Sequence, residues 1–194
     1  GAACTTLAAV AGPPFVAAAT GAVPVVAIGY VLAGRGADTA LGESLLLSVA
    51  AVMVGLAGAA PVLLREEVGL VPVLVLLAYA MAYDAGTYVV GSGAASAWEG
   101  PAAGIAATGT VTLAVAALFV PPFRGASPWL LGVLAAALAP VGPMIGVAFS
   151  GEGRSGNDGN ERNGRKARLP ALRRLDSLLV LGPLWSLAAA ALVD

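Results

Sequence analysis

Residues 68–91 read VGLVPVLVLLAYAMAYDAGTYVVG and contain one charged side chain, that of Asp84. About 20 apolar residues are enough for a helix to cross the hydrocarbon core of a bilayer. A carboxylate inside such a helix costs about 2.5–3.5 kcal/mol at the centre and less near the ends. We therefore predict a transmembrane helix over about 68–90, in which Asp84 faces a partner or a polar cavity instead of lipid.

The chain of 194 residues has the composition of an integral membrane protein. Hydrophobic residues make up 59% of it, charged residues make up 11%, and the mean hydropathy is +0.90. Soluble domains carry about twice that share of charge, roughly one quarter. The sequence has no histidine, which excludes imidazole-based catalysis and metal ligation, and its one cysteine, Cys4, excludes an intrachain disulfide. The net charge of −1 gives no indication of a nucleic-acid partner.

Six segments have the length and apolar character of transmembrane helices. We predict helices at about 14–33, 44–64, 68–90, 100–120, 128–149 and 175–193. The last of them contains Gly182-Pro183, which should kink it. The predicted fold is all-α: one polytopic transmembrane helical bundle over residues 1–194.

A basic loop at about 150–174 separates the last two predicted helices. It is rich in Gly, Asn and Arg and has no apolar periodicity, so we expect it to be mobile. It contains most of the basic residues of the chain, namely Arg154, Arg162, Arg165, Lys166, Arg168, Arg173 and Arg174. Cytoplasmic loops are enriched in Lys and Arg. We therefore predict an integral protein of the cell membrane with this loop in the cytoplasm, where it could also bind anionic lipid or nucleotide phosphate.

Three acidic residues come near the cytoplasmic ends of three helices in this topology: Asp84, Glu99 and Asp176. Carboxylates without His or Cys are typical ligands of hard cations such as Mg²⁺. A bound magnesium ion with arginines beside it suits the phosphates of a nucleotide. The same acids also suit a cation or proton pathway, and the residues alone do not decide between these two sites.

Each acid also has a purely structural interpretation. Asp84 could pair with an arginine, and Asp176 could pair with a neighbouring arginine at a helix start, where a negative charge is favourable. Ser96 and Glu99 have the spacing of a capping box, with Ser at the N-cap and Glu three residues later. The spacing Gly100-x-x-x-Gly104 fits a close helix contact.

Three short motifs follow one another in the order and spacing of a known family. Residues 84–91, DAGTYVVG, are similar to D-T-G-A-Y-x-x-G, and residues 98–104, WEGPAAG, are similar to the end of S-P-N-K-T-W-E-G-x-x-G-G. Residues 172–179, LRRLDSLL, are similar to L-D-R-x-D-S-L-L. With these motifs the chain resembles the integral-membrane CDP-diacylglycerol synthases, or phosphatidate cytidylyltransferases, over roughly residues 14–194.

The resemblance implies an enzyme of phospholipid biosynthesis that transfers CMP from CTP to phosphatidate and forms CDP-diacylglycerol. It implies Mg²⁺ as the cofactor and a homodimer as the assembly. The catalytic residues that it implies are Asp84, Asp176 and Arg174, of which Asp84 and Asp176 are the metal ligands. The substrate-binding residues that we assign with it are Glu99, Trp98 and Ser96.

Two departures from the family pattern leave other hypotheses open. A metal-binding aspartate of the family is Pro143 here, and the first aspartate of its last motif is Arg173. Because a cation at a metal position repels the ion, a second hypothesis is a relative that binds lipid or a partner without turnover. A third is a small cation or proton transporter that uses Asp84, although the two halves of the sequence show no inverted repeat.

Overall fold

The computed structural model describes residues 37–96, 98–144 and 176–193, and every regular element within these ranges is a helix. The helices are α1 (Ala37–Glu67), α2 (Leu70–Gly91), α3 (Glu99–Ala117), α4 (Ser127–Leu138) and α5 (Asp176–Leu192). After a turn at residues 139–140, residues 141–144 are again helical. The predicted all-α class is confirmed for this part of the chain, while the predicted helix at 14–33 and the loop at 150–174 lie outside it.

Three helical stretches of the described residues are long and apolar enough to cross a membrane. They are Leu70–Gly91, Glu99–Ala117 and Ser127–Met144, and the apolar stretch of α5, Ser177–Leu192, is shorter. This finding supports an integral membrane protein. The count of six spans stays a prediction.

The ends of two helices differ from the predicted bounds for local reasons. α1 begins well before the predicted residue 44 and ends at Glu67. α3 stops at Ala117 because the chain then closes a Schellman-type cap, in which the Phe119 N–H donates to Ala116 O at 3.3 Å. In the same cap the Val120 N–H donates to Val115 O at 3.2 Å.

The helices α2 and α5 form the middle of the bundle. α2 packs against α1, α3 and α5, α5 packs against α1, α2 and α4, and α3 packs against α4. Large, fully buried side chains come from α1, α2, α4 and α5: Leu64, Leu76, Tyr79, Leu131, Leu181 and Trp185. Short connections join α1 to α2 and α2 to α3, so successive helices run in opposite directions. We call the end with the 92–98 loop and the start of α5 the Asp84 end, and the end with the 118–126 loop the Arg124 end.

Small residues bring α2 and α3 into close contact. A Cβ atom added to Gly100 would lie 3.2 Å from Thr87 O, and one added to Gly104 would lie 2.7 Å from a ring carbon of Tyr83. Lipid gives little hydrophobic drive for helix association, so close backbone approach and packing must stabilise such contacts. The Gly100-x-x-x-Gly104 spacing thus lies at a helix contact, as the sequence predicts.

Aromatic and hydroxyl groups connect the helices in the interior. Tyr79 OH hydrogen-bonds Thr112 Oγ1 at 3.0 Å, which joins α2 to α3. The Trp185 indole N–H donates to Leu131 O at 3.1 Å, which joins α5 to α4, and the rings of Tyr79 and Trp185 lie 5.9 Å apart. Buried Tyr and Trp need such partners because their polar atoms are removed from water.

We predict that Gly104→Ala destabilises the fold by about 1–3 kcal/mol, because the added methyl group overpacks the contact with Tyr83. Gly109→Ala is the matched control in the same helix, since a Cβ atom there meets nothing within 4 Å. The control should be neutral or stabilising by about 0.5–1 kcal/mol, because alanine favours a helix interior. Unfolding of the purified proteins in mixed micelles measures both changes, and equal stabilities would contradict the proposed contact.

Candidate functional site

The start of α5 meets the middle of α2 at Asp84. The Ser177 hydroxyl donates a hydrogen bond to Asp84 Oδ2 at 3.0 Å, across 93 positions of sequence. Ser177 is fully buried and Asp84 is half-buried. A hydrogen bond to an ionised carboxylate is stronger than one between neutral groups. Asp84 therefore faces a polar partner within the bundle, as its place in an apolar helix predicts.

The position of this junction follows from the two helices that form it. Ser177 is the second residue of α5. The first turn of a helix has unpaired N–H groups and a partial positive charge, both of which favour a nearby anion. Asp84 lies about 10 Å along the axis from the end of α2 at Gly91, by the rise per residue of a helix. The junction therefore lies below the end of the bundle, inside the predicted transmembrane region.

Two further residues of the predicted catalytic set belong to the same segment. Asp176 is the first residue of α5 and immediately precedes Ser177, so its backbone adjoins the junction. The side chain of Asp176 and all of Arg174 lie outside what the structure describes. Their predicted roles in metal and phosphate binding stay predictions. Sequence reasoning did not single out Ser177, although its place after Asp176 in the third motif was a usable signal.

One of the two contacts of the predicted capping box is present in the turn before α3. The Ser96 N–H donates to Glu99 Oε1 at 3.0 Å, and the Trp98 N–H donates to Ser96 Oγ at 3.4 Å. The regular helix begins at Glu99, two residues later than a Ser96 N-cap implies, because Ser96 and Trp98 belong to a turn before it. All three side chains are exposed, and Trp98 is 79% exposed. The predicted Ser96 N-cap is therefore wrong, since Trp98 is the N-cap and has no side-chain cap hydrogen bond, although the bond from Ser96 to Glu99 is present. An exposed Trp98 suits a membrane interface.

The three motifs nevertheless share one corner of the bundle. Ser177 of the third motif bonds to Asp84 of the first. Gly100 of the second motif packs on the first, since a Cβ atom there would lie 3.2 Å from both Gly91 Cα and Thr87 O. Segments that are distant in sequence thus come together at the Asp84 end.

The donor atoms at this corner suit a hard cation. Within the described ranges, no group of three or more His, Cys, Asp or Glu side chains is placed to hold a metal ion. Asp84 and Ser177 nevertheless supply oxygen atoms, the ligand type that Mg²⁺ takes. Mg²⁺ usually keeps several waters and adds one or two carboxylates and the substrate phosphates. Asp84 could supply one such ligand, and Asp176 is the predicted second, so a magnesium site stays a prediction.

Comparisons with protein-family models, curated proteins and solved structures found no match for this chain. Inference about function therefore starts from the three motifs and from the contacts that join them. Among these contacts, the hydrogen bond from Ser177 to Asp84 bears most directly on function, because it orients the carboxylate.

We predict that Asp84 and Ser177 are energetically coupled. In a double-mutant cycle of Asp84→Ala and Ser177→Ala, which removes both partners, the interaction free energy should be about 1–2 kcal/mol, because the bond is charge-assisted but lies in a membrane helix pair. The cycle is measured by unfolding in mixed micelles.

Ser186 provides the control on the same helix. It is also buried, and its hydroxyl has no hydrogen-bond partner among the described atoms. Ser186→Ala combined with Asp84→Ala should therefore be additive within about 0.5 kcal/mol. Additivity of the Asp84 and Ser177 changes as well would mean that the hydrogen bond does not stabilise the protein.

Proposed function

We propose that the protein is a phosphatidate cytidylyltransferase, which transfers CMP from CTP to phosphatidate and forms CDP-diacylglycerol. The observation that carries this proposal is the hydrogen bond from Ser177 to Asp84, which joins the third family-like motif to the first. The packing of Gly100 on Thr87 adds the second motif to the same corner. The described parts of the three motifs that resemble one family therefore lie close together, which supports the proposal.

The proposed reaction is a displacement at phosphorus. An oxygen of the phosphatidate phosphate attacks the α-phosphorus of CTP, a new P–O bond forms, and the bond to pyrophosphate breaks, so that pyrophosphate leaves. Catalysis of this kind depends mainly on positioning and on neutralising charge. When bound, Mg²⁺ would neutralise the phosphate oxygens.

The residues of this chain supply the positioning. Asp84 would hold the metal with Asp176, and Ser177 fixes the orientation of the Asp84 carboxylate through its hydrogen bond. The start of α5 would also favour phosphate, because unpaired N–H groups and the helix dipole point toward it. Arg174, just before α5, would neutralise phosphate charge. Glu99 and Ser96 would then act by fixing the α3 start beside the site, where Trp98 reaches the membrane interface.

The proposal includes an orientation. The Asp84 end would face the cytoplasm, where CTP is available, and the basic loop at about 150–174 would lie on the same side. The arginines of that loop would attract the nucleotide, and phosphatidate would enter from the bilayer. The family resemblance also suggests a homodimer.

A second candidate is a relative that keeps the fold and binds lipid without turnover. Two observations favour it. Glu99 is engaged in the cap of its own turn, at 3.0 Å from the Ser96 N–H, and Pro143 stands in the helical turn 141–144 without a donor atom for a metal. Arg173 would add a positive charge next to Arg174. This candidate predicts a folded protein that binds phosphatidate and is unaffected by nucleotide.

Turnover decides between the two candidates. The detergent-purified protein with phosphatidate, CTP and Mg²⁺ should form CDP-diacylglycerol. Asp84→Asn and Asp176→Asn should each lower the rate by about 100-fold, the size of effect seen when one group that stabilises transition-state charge is removed. Glu66→Gln, an exposed acid at the Arg124 end, is the charge-matched control and should keep the parental rate.

Two results would count against the enzyme. Absence of product from a folded, monodisperse parent would favour the non-catalytic relative. An unchanged rate of product formation in Asp84→Asn would exclude the proposed site.

Glu99→Gln tests whether Glu99 acts through its hydrogen bond to Ser96 or in the chemistry. Glutamine can keep the hydrogen bond to the Ser96 N–H, so we expect the variant to retain activity if Glu99 acts only by holding that turn.

A further inference from the structure

A groove runs along the surface between α3 and α4, toward the Arg124 end of the bundle. It consists of two adjoining hollows of about 550 and 440 Å³ that share Leu113 and Trp129. One hollow extends to the 118–126 loop, and the other extends along α3 and α4 away from that loop. Both hollows are open to the surface, so a ligand there would stay partly exposed.

The groove exists because α3 and α4 touch through small residues. A side chain on Gly132 would overlap Thr112, so the two backbones are close there. Beside this contact the lining residues Ala106, Gly109 and Ala136 are too small to fill the space. A Cβ atom on Gly109 would meet nothing within 4 Å. The result is an open apolar channel along two helices that are long and apolar enough to cross a membrane.

A cation lies at one end of this channel. Arg124 lines the hollow next to the 118–126 loop and is exposed. Its backbone is fixed by Ser127, whose Oγ accepts from the Arg124 N–H at 3.0 Å and donates to Arg124 O at 2.9 Å. The guanidinium makes no ion pair with any residue that the structure describes.

The rim of the groove holds an aromatic side chain in a costly conformation. Phe119 has φ of +48°, in the left-handed region, and its side chain is 84% exposed. A non-glycine residue there costs on the order of 1–2 kcal/mol, and glycine would occupy the same position in the cap without that cost. The conformation places a large apolar side chain at the groove, next to exposed Trp129.

We propose that this groove binds one anionic phospholipid, with its phosphate on Arg124 and an acyl chain along the channel between α3 and α4. The charge of Arg124 complements the headgroup, and the apolar floor complements the chain. Phe119 and Trp129 lie where the glycerol region of a lipid meets its chains, the depth that aromatic residues favour.

This lipid site is separate from the proposed catalytic site. α3 has 19 residues, so its ends are about 28 Å apart by the rise per residue of a helix. Asp84 lies toward the end that carries Trp98, and Arg124 lies beyond the other end. The lipid bound here is therefore not the substrate that would react near Asp84, and its binding is independent of whether the protein is an enzyme.

Fluorescence quenching by brominated lipids tests the proposal. In a Trp98→Phe background, Trp129 is the exposed tryptophan that remains, because Trp185 is fully buried. The protein is placed in phosphatidylcholine nanodiscs that contain a minor fraction of one brominated lipid. This lipid is phosphatidylglycerol in one sample and phosphatidylcholine in the other, and both have brominated acyl chains. Quenching should report an affinity about fivefold higher for the anionic lipid, the effect of one guanidinium near a membrane surface.

Two variants identify the parts of the site. Arg124→Gln should abolish the preference between the two lipids, whereas Arg65→Gln, an exposed arginine at the same end of the bundle, should leave it unchanged. Gly109→Leu should fill the channel and reduce quenching by the anionic lipid to the level of the neutral one. Because a Cβ atom at Gly109 meets nothing within 4 Å, the leucine should not prevent folding.

Three results would overturn the proposal. Equal quenching by both lipids in the parent would show that Arg124 selects no headgroup. A preference that persists in Arg124→Gln would place the headgroup elsewhere. Absence of quenching by either lipid, together with a dimeric protein, would assign the groove to a second copy of the chain.

Discussion

The hydrogen bond between Ser177 and Asp84 positions α5 against α2. Asp84 lies in an otherwise uncharged helix, so it needs a polar partner, and the start of α5 supplies one. Eight residues further along α5, Trp185 lies against Tyr79, which is five residues before Asp84 on α2. Two contacts at different depths thus fix the register of two antiparallel helices. The same pair of contacts determines where any ligand of Asp84 would lie.

The described helices form a bundle with two chemically different ends. At the Asp84 end, a carboxylate, a buried hydroxyl and a helix start lie close together. At the Arg124 end, a cation stands over an apolar groove. Between the two ends, hydrogen bonds join neighbouring helices, from Tyr79 to Thr112 and from Trp185 to Leu131 O.

The sequence predicted those features that depend on local pattern. The apolar run at about 68–90 predicted α2 within about two residues at either end. The Ser96 to Glu99 spacing predicted the hydrogen bond between them but not the helix start, which has Trp98 as its N-cap. The sequence also predicted that Asp84 has a polar partner or faces a polar cavity. It did not identify Ser177, because this pairing depends on how α5 packs against α2. The bond from Trp185 to a backbone carbonyl could not be predicted, since any residue supplies a carbonyl. Phe119 carried no signal either, because a cap in the left-handed region usually calls for glycine.

Binding of CTP tests the central claim most directly, because it requires the proposed site but not the complete reaction. We would measure equilibrium binding of CTP to the detergent-purified protein in Mg²⁺ and in a chelator, for the parent and for Asp84→Asn. The account predicts saturable binding that needs Mg²⁺ and falls by at least tenfold in the variant. Absence of binding to a folded parent, or binding that neither Mg²⁺ nor Asp84 affects, would contradict it.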